Sequence, residues 1–127
     1  MAEVALRPLR VSELAQLPAV ITGYTTAETY TIHKQESEVE TAVSLKLISL
    51  PEPQTITYDH LDETELDRLT AIVAEGLSVG AFVDGRLVGV AIASVEAWNR
   101  SLRVWEFHVA ESFRGQEIGR QLMEKLV

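Results

Sequence analysis

Seven consecutive residues, Arg114-Gly115-Gln116-Glu117-Ile118-Gly119-Arg120, have the composition of a phosphate site. They lie where an alternating stretch ends and an amphipathic run begins. The first turn of a helix carries unpaired N–H groups and the positive end of the helix dipole, and together these hold phosphate. Arg114 adds a cation. Glycines at a loop-to-helix junction also serve plain turn chemistry, so both readings stand at this point.

The flanking elements would have to aim this loop. Upstream, Trp105, Phe107 and Val109 alternate with Glu106 and His108, the period of a half-buried strand with an apolar and a polar face. Downstream, Ile118, Leu122 and Leu126 form one stripe, with Gly119, Met123 and Val127 beside it, which is helical spacing. Strand, loop and helix follow in that order.

This run resembles the acyl-CoA-binding motif of the GNAT superfamily of N-acetyltransferases, Arg/Gln-x-x-Gly-x-Gly/Ala after a hydrophobic strand that ends in a valine five residues upstream. Arg114, Gly119 and Val109 match, and Glu117 stands where the family usually has its first glycine. The resemblance implies an α+β fold, a mostly antiparallel sheet with flanking helices. It implies acetyl-CoA as co-substrate and a small-molecule or peptide amine as acceptor. Phe107, His108 and Val109 would offer backbone groups to the pantetheine, and Arg114, Gly115, Gln116, Glu117, Ile118, Gly119 and Arg120 would cradle the pyrophosphate. In the mechanism it implies, a carboxylate, often through water, takes the amine's proton while strand backbone polarises the thioester carbonyl. Glu106 is the candidate base, three residues before Val109; a solvated strand carboxylate is the alternative.

Composition narrows the classes. A chain of 127 residues with 46% hydrophobic content suits one domain, 1–127, with a real core. The absence of cysteine excludes disulfides, thiolate metal sites and an acyl-cysteine relay, leaving direct transfer. A net charge of −8 argues against nucleic acid and suits a cationic amine, although acidic surfaces mostly serve solubility. No apolar run reaches membrane-spanning length, and the first eight residues have neither a basic region nor a long apolar segment, so a cytoplasmic protein is expected. His33, His60 and His108 lack metal-ligand spacing, so no metal is expected. Gly-x-Ser-x-Gly, P-loop and dinucleotide motifs are missing.

The rest of the chain reads as support. Val4 to Leu9 predicts an edge strand, because of Pro8, followed by a helical turn capped by Ser12. Thr25 to His33 and Thr41 to Ser49 read as strands joined by the acidic loop Lys34 to Glu40, with Pro51-Glu52-Pro53 a stiff connector. This hairpin, with Trp98-Asn99 and Glu106, resembles the streptothricin-acetyltransferase-like branch. Asp62 and Glu65 have capping-box spacing, Leu61 and Leu66 staple spacing, and Gly76 a C-cap position, predicting a helix from about Glu63 to Glu75 with Leu66, Leu69 and Val73 inward. Asp84-Gly85 predicts a tight hairpin in which Val88, Val90 and Ile92 fill one face, while Gly89, Ala91 and Ala93 leave the other thin enough for a helix. Trp98 and Trp105 are either pocket lining or core and rim.

The last helix has no stop signal before Val127, so the sequence reads as a GNAT-like domain incomplete at its C-terminus. An unpaired strand edge and an uncovered stripe Ile118, Leu122, Leu126 would then favour a homodimer. Two functions follow from the resemblance: an N-acetyltransferase present as its N-terminal portion, or a non-catalytic fragment acting as a CoA-binding or dimerising module.

Overall fold

The computed structural model describes residues 3–127; Met1 and Ala2, at the start of the stretch read above for a leader, lie outside the described residues. The chain divides into two compact units, one formed by the residues up to Thr22 together with Tyr58–Val127, the other by Gly23–Thr57.

The first unit is an antiparallel sheet with helices on both faces, the mixed α+β architecture expected. Strands β1 (Ala5–Pro8), β4 (Val79–Val83), β5 (Arg86–Glu96) and β6 (Ser101–Val109) pair in the order β1-β4-β5-β6. Pro8 closes the edge strand β1, where a missing N–H costs nothing. A 3₁₀ helix, Val11–Ala19, follows, and its cap is not Ser12: the Glu13 carboxylate accepts the Arg10 backbone N–H at 2.8 Å. Glu13 also receives the Arg7 guanidinium at 2.9 and 2.5 Å, so one carboxylate ties strand to helix.

Helix α1 (Glu63–Ala74) starts where its cap residue predicts, with Asp62 accepting the Glu65 N–H at 2.8 Å, but only half of the capping box forms. The Glu65 side chain turns to Arg68 instead, since an ion pair one turn on competes with the reach back to Asp62. Gly76 takes φ +89° just past the helix end, as a C-terminal glycine should. Leu69 and Val73 are buried with Leu14, Leu17, Val90 and Ile92 on one face of the sheet, and Leu61 and Leu66 pack at the margin.

The hairpin β4–β5 turns at Asp84 (φ 51°) and Gly85 (φ 77°), the left-handed pair of a type I′ turn. Its register slips between Ala81 and Phe82: Ala81 faces Gly89 whereas Phe82 faces Leu87, so Val88 is a bulged residue. This corrects the expectation that Val88 shares a face with Val90 and Ile92. An extra residue reverses the alternation. Val88 packs instead with Ala81, Ala91, Ile118 and Leu122, while Leu87, Val90 and Ile92 go to the α1 side. The thin face does receive a helix, α2 (Ile118–Leu126); a Cβ on Gly89 would stand 3.2 Å from Leu122 and 3.3 Å from Ile118. Ile118 and Leu122 are fully buried there, so the stripe expected to lack cover is covered by the chain's own sheet; Val127 is exposed outside the helix.

The second unit is a long two-stranded ribbon of β2 (Gly23–Glu36) and β3 (Thr41–Thr57). The connecting turn is shorter than the loop expected, because Lys34 to Glu36 pair with Thr41 to Val43. Pro51-Glu52-Pro53 is no connector between elements. It lies inside β3 at a bulge, where Thr26 pairs Gln54 and Glu28 pairs Ser49; the slip takes both prolines, which cannot donate, out of the ladder.

Gly89→Val should lower unfolding stability by about 1–3 kcal/mol, as overpacking does, and urea titration measures it; unchanged stability would mean that α2 does not rest on Gly89. A second expectation concerns acid. The Arg7 hydrogen bond holds Glu13 below the ordinary carboxylate range, with the Arg10 N–H helping. A folded-state value below the unfolded one contributes stability that is complete above the unfolded value and is lost as pH falls through the folded one. Glu13→Gln should therefore lose less stability than wild type when denaturant curves at pH 7 and pH 3 are compared.

Candidate active site

The strand expected to carry the chemistry contains a second bulge. β5 and β6 pair as Ile92↔Glu106 but Ala93↔Val104, leaving Trp105 as the extra residue. Consequently Trp105 does not share a face with Phe107 and Val109, as simple alternation predicts. Its indole N–H donates to the Ser94 Oγ at 2.8 Å, and the guanidiniums of Arg68, on α1, and Arg103 lie 4.5 and 3.6 Å from its ring centroid. Phe107 and Val109 pack on the α2 side. Trp105 is half-buried, whereas Trp98 is 83% exposed in the β5–β6 turn.

Glu106, beside Trp105, is not a solvated carboxylate. Its side chain is 10% exposed and bridges two imidazoles, with Oε1 2.9 Å from the Nε2 of His60 and Oε2 2.6 Å from the Nε2 of His108. His108 is two residues along the same strand; His60 arrives from the segment that leads into α1. The Tyr58 ring meets both imidazoles edge-on, with centroids at 6.2 Å from His60 and 5.7 Å from His108. His60 and Tyr58 were not singled out for this site in the sequence, where nothing in the spacing of residues 58, 60 and 106 brings them together. The i, i+2 spacing of Glu106 and His108 was the one available signal.

Beyond β6 the chain prepares a helix start. Ala110 donates its N–H to the Val88 carbonyl at 2.7 Å, which anchors the loop to the first bulge. Arg114 donates its Nε–H to the Val109 carbonyl at 3.0 Å. Gly115 (φ 80°) and Glu117 (φ 66°) both take left-handed backbone, and Glu117 is the N-terminal flanking residue of α2. The Gln121 N–H reaches the Glu117 carbonyl at 3.1 Å, so the N–H groups of Ile118, Gly119 and Arg120 precede the first intrahelical bond and are open donors by helix geometry. A Cβ on Gly119 would meet only ordinary contacts, 3.5 Å from the Phe107 ring, so the fold itself does not demand glycine there.

The cations near this helix start are engaged. Arg120 pairs with Glu117 at 2.7 Å and with Glu124 at 2.9 Å, and the Glu117 bond foremost holds its guanidinium above its usual value. Glu117 is the one residue of the loop whose type opposes an anion, and its left-handed backbone is the conformation a glycine adopts without cost. Among the described residues no group of His, Asp and Glu side chains has metal-site geometry, and no helix is long and apolar enough to cross a membrane.

No curated protein matches the chain in sequence. Two solved structures are similar in fold. Nourseothricin acetyltransferase superposes with a TM-score of 0.69 at 22% identity, over 95% of this chain and 62% of that one. A protein from Bacillus anthracis str. Ames, assigned as a streptothricin acetyltransferase and solved in complex with acetyl coenzyme A, gives 0.63 at 12% identity, over 98% of this chain and 66% of that one. The chain therefore spans less than two thirds of the length of either structure. The sequence profile of the Acetyltransferase (GNAT) family matches residues 43–127, which include β6, the glycine loop and α2, and on this match the chain belongs to the GNAT family of acetyltransferases.

Proposed function

We propose that the protein containing this chain is an acetyl-CoA-dependent N-acetyltransferase that moves an acetyl group to a primary amine, with this chain supplying the cofactor loop and the proton-accepting centre as part of a single GNAT domain. The observation that carries the reading is the placement of a largely covered carboxylate, Glu106, on the strand that leads through the glycine loop to an open helix N-terminus at Ile118, Gly119 and Arg120. In this reading the pyrophosphate lies on the loop Arg114, Gly115, Gln116, Glu117, Ile118, Gly119, Arg120, and the pantetheine follows the backbone of Phe107, His108 and Val109 toward Glu106. The amine reaches the site as an ammonium ion, and Glu106 supplies the negative charge that draws its proton away. Direct attack of the freed amine on the thioester follows, this chain itself offering no cysteine nucleophile beside Glu106.

A streptothricin-type acceptor is supported by the long β2–β3 ribbon and by fold similarity to the two acetyltransferases above. A cytoplasmic location fits the supply of acetyl-CoA and the absence of cysteine. Homodimer formation is supported by Leu102 and Val104, both more than a third exposed on β6, which has a neighbour on one side only in this sheet. A mass near twice 14.1 kDa in light scattering is the expected result, and a monomer would refute it.

Acetyl-CoA binding tests the reading at the loop. Glu117→Gly removes a carboxylate from the phosphate site, leaves Arg120 with one carboxylate partner in place of two and suits the left-handed backbone, so calorimetry should show binding tighter by about five- to tenfold. Equal or weaker binding would take the pyrophosphate off this loop. Release of free thiol from acetyl-CoA on adding nourseothricin or a simple primary amine tests the transfer. Glu106→Gln should lower that turnover by about 100-fold with little change in cofactor affinity.

A further inference from the structure

We infer that His60 is the group that meets the amine, and that Glu106 acts through it, with the bridged cluster His60–Glu106–His108 forming a proton relay whose outer member is an imidazole. The inference rests on the acetyltransferase reading above and refines its chemistry.

Accessibility selects His60. The side chains of Glu106 and His108 are 10% and 17% exposed, whereas that of His60 is 41% exposed. A solute can reach only the outermost of the three without displacing the others. Hydrogen bonding selects the atom. Both Glu106 oxygens are already occupied, each by an Nε2, and a carboxylate only accepts, so each imidazole presents Nε2–H to Glu106. The basic atom left on His60 is then Nδ1, directed away from the carboxylate by the geometry of the ring. The Tyr58 ring lies edge-on to both imidazoles and limits their rotation.

The charges around the cluster suit this use. Arg68 on α1 lies within electrostatic reach of Glu106 but is committed to Glu65 by its hydrogen bond, and Glu65 and Asp62 at the start of α1 add negative charge on the His60 side. An imidazolium at His60 is therefore met by Glu106 and Glu65, with Arg68 drawn to those same two carboxylates, Asp62 beside Glu65, and His108 the further titratable neighbour. His108 holds the second carboxylate oxygen, so Glu106 cannot swing away when His60 changes charge. In this arrangement Glu106 and His108 are positioning residues.

The proton balance closes without any further reactant. The substrate ammonium gives one proton to Nδ1 of His60, and the Nε2–H bond to Glu106 strengthens as the ring becomes cationic. The freed nitrogen lone pair forms the C–N bond to the thioester carbonyl carbon, and the C–S bond breaks. The departing thiolate takes the second proton from the nitrogen, and exposed His60 returns the first to water. One amide, one thiol and one proton in solution result.

The test compares wild type, His60→Ala, His108→Gln and Glu106→Gln in the thiol-release assay across pH, with acetyl-CoA saturating. His60→Ala should lower turnover by about 100-fold, leave acetyl-CoA affinity unchanged, abolish the acidic limb of the pH profile and regain part of its rate in free imidazole. Turnover of His60→Ala within about threefold of wild type, with the same profile, would overturn the relay; if Glu106→Gln is nevertheless inactive, the acetyltransferase reading survives. Loss of transfer in wild type would instead count against that reading. A measurement independent of turnover addresses the hydrogen bonds themselves: nitrogen-15 NMR of the chain should show protected Nε2–H protons on His60 and His108, at least one of which vanishes in Glu106→Gln, whose carboxamide offers a single acceptor oxygen. Unprotected protons in wild type, or both retained in Glu106→Gln, would refute the bridge.

Discussion

Two one-residue bulges in adjacent strands determine where the chemically useful groups of this chain stand. The first, at Val88, turns Val88 and Gly89 toward α2; the second, at Trp105, turns Trp105 and Glu106 toward α1. A strand without its bulge would send half of its side chains to the opposite face, since the period is two. Without the first bulge, α2 would meet a bulkier surface and could not come within van der Waals contact of β5. Without the second, a carboxylate would be directed at the apolar layer under α2 and not at His60.

The bulges also connect the loop to the strand. Ala110 bonds to the carbonyl of bulged Val88, so the chain leaves β6 at a position set by β5, and Ile118 and Leu122 then press α2 onto Gly89. The helix start is held from both ends, by backbone hydrogen bonding before it and by apolar burial after it. Burying Ile118 and Leu122 contributes about 1.5–3 kcal/mol each, which is what aims the open N–H groups of the first turn. An anion site made of backbone needs such rigidity, because its donors cannot adjust as side chains do.

Electrostatics in the same region is divided by element. Carboxylates are neutralised locally: Glu13 by Arg7, Glu65 by Arg68, Glu117 and Glu124 by Arg120. Glu106 differs in having two imidazoles as partners and being largely covered. An imidazole can accept a proton at one ring nitrogen while donating from the other, which a guanidinium, with donors only, cannot do.

Local signals were legible wherever neighbouring residues alone decide conformation. Asp84-Gly85 specified its turn, Asp62 and Gly76 bounded α1, the stripe Ile118, Leu122, Leu126 placed α2, and the spacing of Val109, Arg114 and Gly119 pointed to the GNAT family. Pairing decided the rest. Which residue of β5 or β6 bulges depends on the partner strand's register, which no single-strand pattern contains, so the faces of Val88 and Trp105 were misread. Pro51-Glu52-Pro53 reads locally as a break, yet a long antiparallel ladder on either side absorbs it as a bulge. His60 reaches Glu106 across 46 residues of chain, through the packing of α1 on the sheet. A bridge between side chains so far apart in sequence exists only once the tertiary structure has formed, because it is stabilised by groups that the unfolded chain never holds near one another.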